Sequence, residues 1–210
     1  MEARVIDRLK TAYPEARCSL DFSNPVQALI AVLLSAQCRD ERVNQVTGIL
    51  FHRYPTTRDL AQAGQEEMEG VLKSLGLYRN KARNLRKLGT VLEERFQGQV
   101  PDGLEDLQAL PGVGRKTALC VLQEAFGKVQ GIVVDTHVAR LAGRLGWSRG
   151  QNVSQIERDL QTLIPRADWA IINHLLIAHG RAVCTAGRPR CLGCILQDLC
   201  PSADPPPAGS

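Results

Sequence analysis

No stretch of this 210-residue chain reaches the roughly 18 consecutive apolar residues that a membrane-crossing helix needs. The longest apolar run, Ala28 to Ala36, is broken by Ser35 and suits a buried helix instead. The N-terminus carries Glu2, Arg4, Asp7 and Arg8 where a secretory signal would be apolar, so it reads as the start of a surface helix, and export is not expected. No segment sustains the period-2 alternation of a half-buried strand, and Ile132-Val133-Val134 is too brief to count as one. Internal repeats are absent. So is a disulfide framework, because four of the seven cysteines crowd into the last 27 residues while Cys18, Cys38 and Cys120 are scattered. That distribution fits a reducing compartment in which thiolates stay free to bind metal.

What remains is an all-α chain. Its 44% apolar content is enough for a substantial core, in one domain or two small ones. Apolar segments tend to open on a capping residue and close on glycine. Asn24-Pro25 starts the run VQALIAVLLSAQ, with the proline where a first helical turn tolerates it. Asn80 precedes KARNLRKLGTVLEERFQ, closed by Gly98, and Asp102 opens GLEDLQAL. Ser154 with Glu157 reads as a capping box for a helix leading to Ile164-Pro165, and ADWAIINHLLIAH stops at Gly180. The tail, residues 201–210, is small, proline-rich and almost free of apolar side chains, so disorder is expected there.

The net charge of +4 fits a phosphate-rich partner without requiring one. Arg79, Lys81, Arg83, Arg86 and Lys87 lie in a stretch free of acid, which a solvated helix face explains as readily as a binding surface. Arg188 and Arg190 flank a proline between two cysteines.

The segment LPGVGRKTALCVLQEAFG, Leu110 to Gly127, sets Gly112 and Gly114 on either side of Val113, between a short helix and a longer one. Both glycines are expected to allow positive φ and close backbone approach. Amides opening the second helix would then face outward as a phosphate site, although an ordinary helix hairpin has the same spacing. Lys116, in the first turn after the hairpin, faces the positive end of the helix dipole. That works against its charge, as a nucleophilic amine requires. Asp135, in the segment Val134 to His137, is placed to cap the helical run that follows. A carboxylate held ionised by such a cap can also stabilise developing positive charge or take a proton from an amine. Cys184, Cys191, Cys194 and Cys200 are separated by six, two and five residues, so four thiolates can converge on one metal centre. The wide first gap fits zinc poorly and an iron–sulfur cluster better. His174 and His179 read as packed or hydrogen-bonded residues rather than ligands.

Together, the glycine hairpin with Lys116, the segment with Asp135 and the cysteine spacing resemble the endonuclease III family. The similarity extends upstream through LDFSNPVQALIAVLLSAQ, Leu20 to Gln37, and GLYRNKA, Gly76 to Ala82. The resemblance implies an all-α helix-hairpin-helix DNA glycosylase fold. Residues 20–129 would form a six-helix domain carrying the hairpin, and residues 1–19 with 130–200 a discontinuous domain carrying a [4Fe-4S] cluster on the four cysteines, with a DNA-binding cleft between them. It further implies a bifunctional DNA N-glycosylase and AP lyase of base excision repair that removes oxidised pyrimidines. Lys116 would be the nucleophile at the sugar C1′, Asp135 its acidic partner, and β-elimination the strand-cleaving step. Gln37 and Leu77 match residues that fill the gap left by the extruded nucleotide, since the glycosidic carbon is inaccessible inside a stacked duplex. DNA contacts are expected from Gly112, Val113, Gly114 and Arg115, from His137, and from Arg188 and Arg190 on the cysteine loop. The hairpin carbonyls would also hold a monovalent cation. The implied partner is double-stranded DNA containing damaged pyrimidines or abasic sites, with no membrane, and the protein is expected to be a cytoplasmic monomer, nucleoid-associated in a bacterium. The lysine and the short tail set the chain apart from the adenine-excising branch.

Some positions depart from the family pattern. Cys38-Arg39 follows Gln37 where small or hydroxyl residues are commoner, the stretch from Gly127 to Asp135 is one residue longer than in typical members, and Leu119-Cys120 is more apolar. Two other readings stay open: a non-catalytic DNA-binding or redox-sensing module, and a zinc protein of similar shape.

Overall fold

The structure, a computed structural model, describes residues 1–203. Among the described residues it is helical with no strand, and the chain divides into two compact units. One is contiguous, from Ser19 to Lys128, and the other joins Met1–Cys18 to the segment that starts at Val129.

The contiguous unit contains α2 (Pro25–Leu34), α3 (Asp40–Arg53), α4 (Thr57–Gln62), α5 (Gln65–Leu72), α6 (Tyr78–Phe96), α7 (Leu104–Gln108) and α8 (Arg115–Phe126). The expected opening of α2 is present, with Pro25 in the first turn and the Asn24 side chain accepting from the Gln27 N–H. This helix is apolar nearly all round and lies in the core, where Leu29, Ile30 and Leu34 join Leu50, Leu72, Leu85, Leu88 and Leu122. Each such side chain contributes about 1.5–3 kcal/mol through burial. Against α6 the chain packs backbone to helix: a Cβ on Gly89 would stand 2.6 Å from both Thr57 O and Ala61 N of α4. Two expected boundaries differ. α6 begins at Tyr78, with Leu77 rather than Asn80 at its N-cap. α7 is capped by Gly103, while Asp102 pairs with Lys128.

The discontinuous unit contains α1 (Glu2–Ala12), α9 (Thr136–Arg144), α10 (Val153–Leu163) and α11 (Trp169–Ala182). Their shared core includes Ile6, Leu9, Val138, Leu141, Leu160, Ile172, Leu175, Leu176 and Leu196. Ile132, Val133 and Val134 are buried here without forming a strand. α10 is capped by Asn152, which accepts from the Gln155 N–H, so the expected capping box of Ser154 and Glu157 does not form. Glu157 is buried and accepts from Gln161 instead. α11 runs through Gly180 rather than ending there. A Cβ at that position would lie 2.9 Å from Arg140 Nη2 and 3.2 Å from His137 Cδ2, so the missing side chain lets α9 cross closely. Of the tail expected to be disordered, residues 204–210 lie outside the described residues. Pro201 and Ser202 form a turn, and Ala203 is buried with its N–H donating to Cys200 O, so the packed chain continues that far.

Candidate functional site

The hairpin reverses the chain between α7 and α8 over residues 109–114. Leu110 and Val113 are buried and anchor it, with the Val113 N–H donating to Leu110 O at 3.1 Å. Gly112 has φ +78°, and a Cβ there would stand 3.0 Å from Asn84 Nδ2 and 3.6 Å from Leu33 Cδ2. Gly114 corrects the expectation for the pair: its φ is −89°, and open space lies where a Cβ would be. Conformation therefore requires glycine only at 112, and the groups that close on it are side chains rather than backbone. Gly114 is the N-cap of α8 and has no side chain with which to cap the first-turn amides. Arg115 and Lys116 are exposed on that turn, whereas Val113 is buried and has only backbone to present to a ligand.

Two turns nearby in the same unit carry backbone strain. Gln37 and Leu77 have φ of 56° and 59°, the left-handed region that side chains rarely adopt. Both are exposed, and Leu77, 55% exposed, is a large apolar side chain with no core to enter. Leu77 lines a pocket together with Leu33, Ala36, Asn80, Asn84 and Gly112. Lys81, which the sequence groups with solvated basic residues, is buried behind this surface. Its Nζ donates to Leu34 O at 2.9 Å and Ala36 O at 2.8 Å and lies 3.2 Å from Cys38 Sγ.

Asp135 is the N-cap of α9. Its Oδ1 accepts from the His137 and Val138 N–H groups, both at 2.8 Å, and its Oδ2 lies 3.2 Å from His137 Nδ1. The carboxylate is only 17% exposed and fully oriented by these contacts.

Cys184, Cys191, Cys194 and Cys200 line one cavity after α11, with Leu141, Leu145 and Leu196 as apolar walls. Burial pushes the Cys194 and Cys200 thiols up, and the neighbouring thiols push in the same direction. Among the described residues, no three metal-binding side chains close on a point the size of a single ion. Donors sequence reasoning did not find are aimed at the sulfurs. Arg144 Nη1 donates to Cys184 Sγ at 3.1 Å and to Thr185 O at 2.8 Å. His179, expected to be packed, is buried: its Nδ1 lies 2.9 Å from Tyr13 Oη and its Nε2 3.5 Å from Cys194 Sγ. Burial lowers the His179 pKa, and the neutral ring can accept from the phenol while its second nitrogen donates to the sulfur. Both loop arginines are exposed, and Arg190 donates its guanidinium to Ala182 O, closing the end of α11.

Residues 30–166 match the family described as HhH-GPD superfamily base excision DNA repair protein. The chain is 51% identical to endonuclease III of Synechocystis over 195 residues, covering 93% of this chain and 89% of that one. It is 42% identical to endonuclease III of Escherichia coli K12 over 196 residues, covering 93% and 92%. Among solved structures, a trapped endonuclease III–DNA covalent intermediate superposes with a TM-score of 0.90 at 45% identity, covering 95% of this chain and 94% of that one. A thermostable thymine-DNA glycosylase at 23% identity shares the fold with a TM-score of 0.84, over 96% and 95%.

Proposed function

Since this chain belongs to the endonuclease III family of base excision DNA repair proteins and is a DNA glycosylase, we propose that it removes oxidised pyrimidines through a lysine Schiff base and then cleaves the strand. The observation that carries this reading is the exposed Lys116 on the first turn of α8, directly behind a turn that needs Gly112.

The nucleotide must leave the stack before its C1′ can be reached. The unprotonated Lys116 amine attacks C1′, and a C–N bond forms as the bond to the pyrimidine N1 breaks. The base leaves with that electron pair and takes up a proton. Loss of the amine proton and opening of the sugar at O4′ give a Schiff base between Nζ and C1′. Removal of a C2′ proton then expels the 3′ phosphate with its electron pair, which is the β-elimination. The Asp135 carboxylate supports positive charge at the sugar and receives the amine proton. It is suited to this because capping keeps it aimed. Gln37 and Leu77 occupy the gap left in the duplex, and His137, Arg188, Arg190 and the hairpin at Gly112, Val113, Gly114 and Arg115 hold the backbone, with a monovalent cation beside the hairpin phosphate.

The cysteine loop suits a [4Fe-4S] cluster held by Cys184, Cys191, Cys194 and Cys200. The four thiols line one cavity, and the Arg144 and His179 N–H groups directed at sulfur suit anionic thiolate ligands. When bound, the cluster supplies iron–thiolate bonds that cross-link the loop. No helix among the described residues is long and apolar enough to cross a membrane, and we place the protein with the DNA in the cytoplasm as a monomer.

The test is borohydride reduction during incubation with a duplex carrying an oxidised pyrimidine. A covalent protein–DNA adduct is expected, lost in Lys116→Ala. An adduct that survives this substitution would remove the lysine assignment.

A further inference from the structure

From the geometry we infer that Lys81 is a positioning residue for the DNA-gap residues Gln37 and Leu77; this rests on the proposed glycosylase reading. The two strained turns are distant in sequence yet meet: Gly76, beside Leu77, has its Cβ direction 3.5 Å from Gln37 O and 3.9 Å from Cys38 Sγ. A left-handed conformation at a non-glycine residue is strained and persists only where its surroundings enforce it. Gln37 and Leu77 are both exposed, so burial of their own side chains does not hold them. Lys81 links the two turns. It stands in the first turn of α6, directly after Leu77, with its backbone N–H donating to Leu77 O at 3.0 Å as any helical residue there would. Its side-chain ammonium reaches back to Leu34 O and Ala36 O, at the end of α2 immediately before Gln37.

The chemistry of that contact is specific. The last carbonyls of a helix lack intrahelical donors and carry the negative end of the dipole, so a buried ammonium satisfies them and holds the chain where it must turn. A methylene stem without the charge would leave the buried Leu34 carbonyl unmet and remove the donor to the Ala36 carbonyl. The same lysine lines the pocket shared by Leu77 and Gly112, so releasing it would let the gap-filling residues shift relative to the hairpin within this unit.

The experiment compares abasic-site cleavage by the holoenzyme on duplex and on single-stranded DNA, which has no opposite strand and no gap to fill. Lys81→Met is expected to slow duplex cleavage by up to about 10²-fold, the scale of loss from misplacing positioning groups, while leaving the single-strand rate within about twofold. In Leu77→Ala the added Lys81→Met should cause little further duplex loss, because both act on one event. Equal losses on the two substrates, or multiplicative losses in the double variant, would overturn the inference and make Lys81 a general structural residue. Where Lys81→Met fails to fold, Lys81→Arg, which keeps a cation but displaces it, carries the same comparison. Failure of the unsubstituted protein to cleave either substrate would instead sink the underlying glycosylase reading.

Discussion

The carboxylate of Asp135 grips His137 twice, through the backbone N–H at 2.8 Å and the ring Nδ1 at 3.2 Å, while capping α9. One side chain thus has a structural and a proposed chemical task, and substitution can separate them. Asn caps a helix about as well as Asp, so Asp135→Asn should alter unfolding free energy by less than about 0.5 kcal/mol. It should nonetheless cut glycosylase turnover by about 10²–10⁴-fold, because the negative charge is gone. Asp135→Ala should lose activity and also about 1 kcal/mol of stability in urea unfolding. Full activity in Asp135→Asn would leave the residue a cap and nothing more.

The two hairpin glycines should respond differently to a methyl group. Gly112→Ala forces a side chain into a positive-φ position and 3.0 Å from Asn84 Nδ2, so it should cost about 1–2 kcal/mol and weaken duplex binding. Gly114→Ala meets open space at an ordinary φ, and thermal unfolding should register less than about 1 kcal/mol. Similar penalties at both sites would mean the turn is held by something other than the backbone at 112.

On the cysteine loop, substitution should separate the two arginines. Arg188→Ala should weaken DNA binding roughly uniformly across sequences and reduce the salt slope by about one. Arg190→Ala removes the donor to Ala182 O at the end of α11, so it should lower the melting temperature and loosen cluster retention, read from iron content. A slope unchanged in Arg188→Ala would take that residue off the DNA surface.

Much of this architecture is local and therefore legible from residues alone. Asn24-Pro25 opens α2 through contacts within three residues, and Asp135 caps α9 in the same way. The cysteine spacing reports four thiols that line one cavity. Illegible features depend on partners far along the chain. Lys81 looks solvated among neighbouring arginines because its acceptors, Leu34 O and Ala36 O, lie far back along the chain, at the end of α2 and in the turn after it. Tyr13 meets His179 across 166 residues, and no periodicity signals such a pair. Gly180 looked like a helix stop because glycine both ends helices and permits close crossings, and only the position of Arg140 distinguishes the two.

The path of the chain also sets an order of birth. α1 is made first, with Val5, Ile6 and Leu9 on its apolar face, yet its partners come last: Arg8 bonds Ile195 O and pairs with Asp198, and Tyr13 awaits His179. Residues 19–128 form a contiguous unit and can close as soon as Lys128 has left the ribosome. The opening helix must idle with its greasy side uncovered until Ile195 and Asp198 have been translated, so the ribosome delivers the unit carrying Lys116 before the unit carrying the four clustered cysteines can shut.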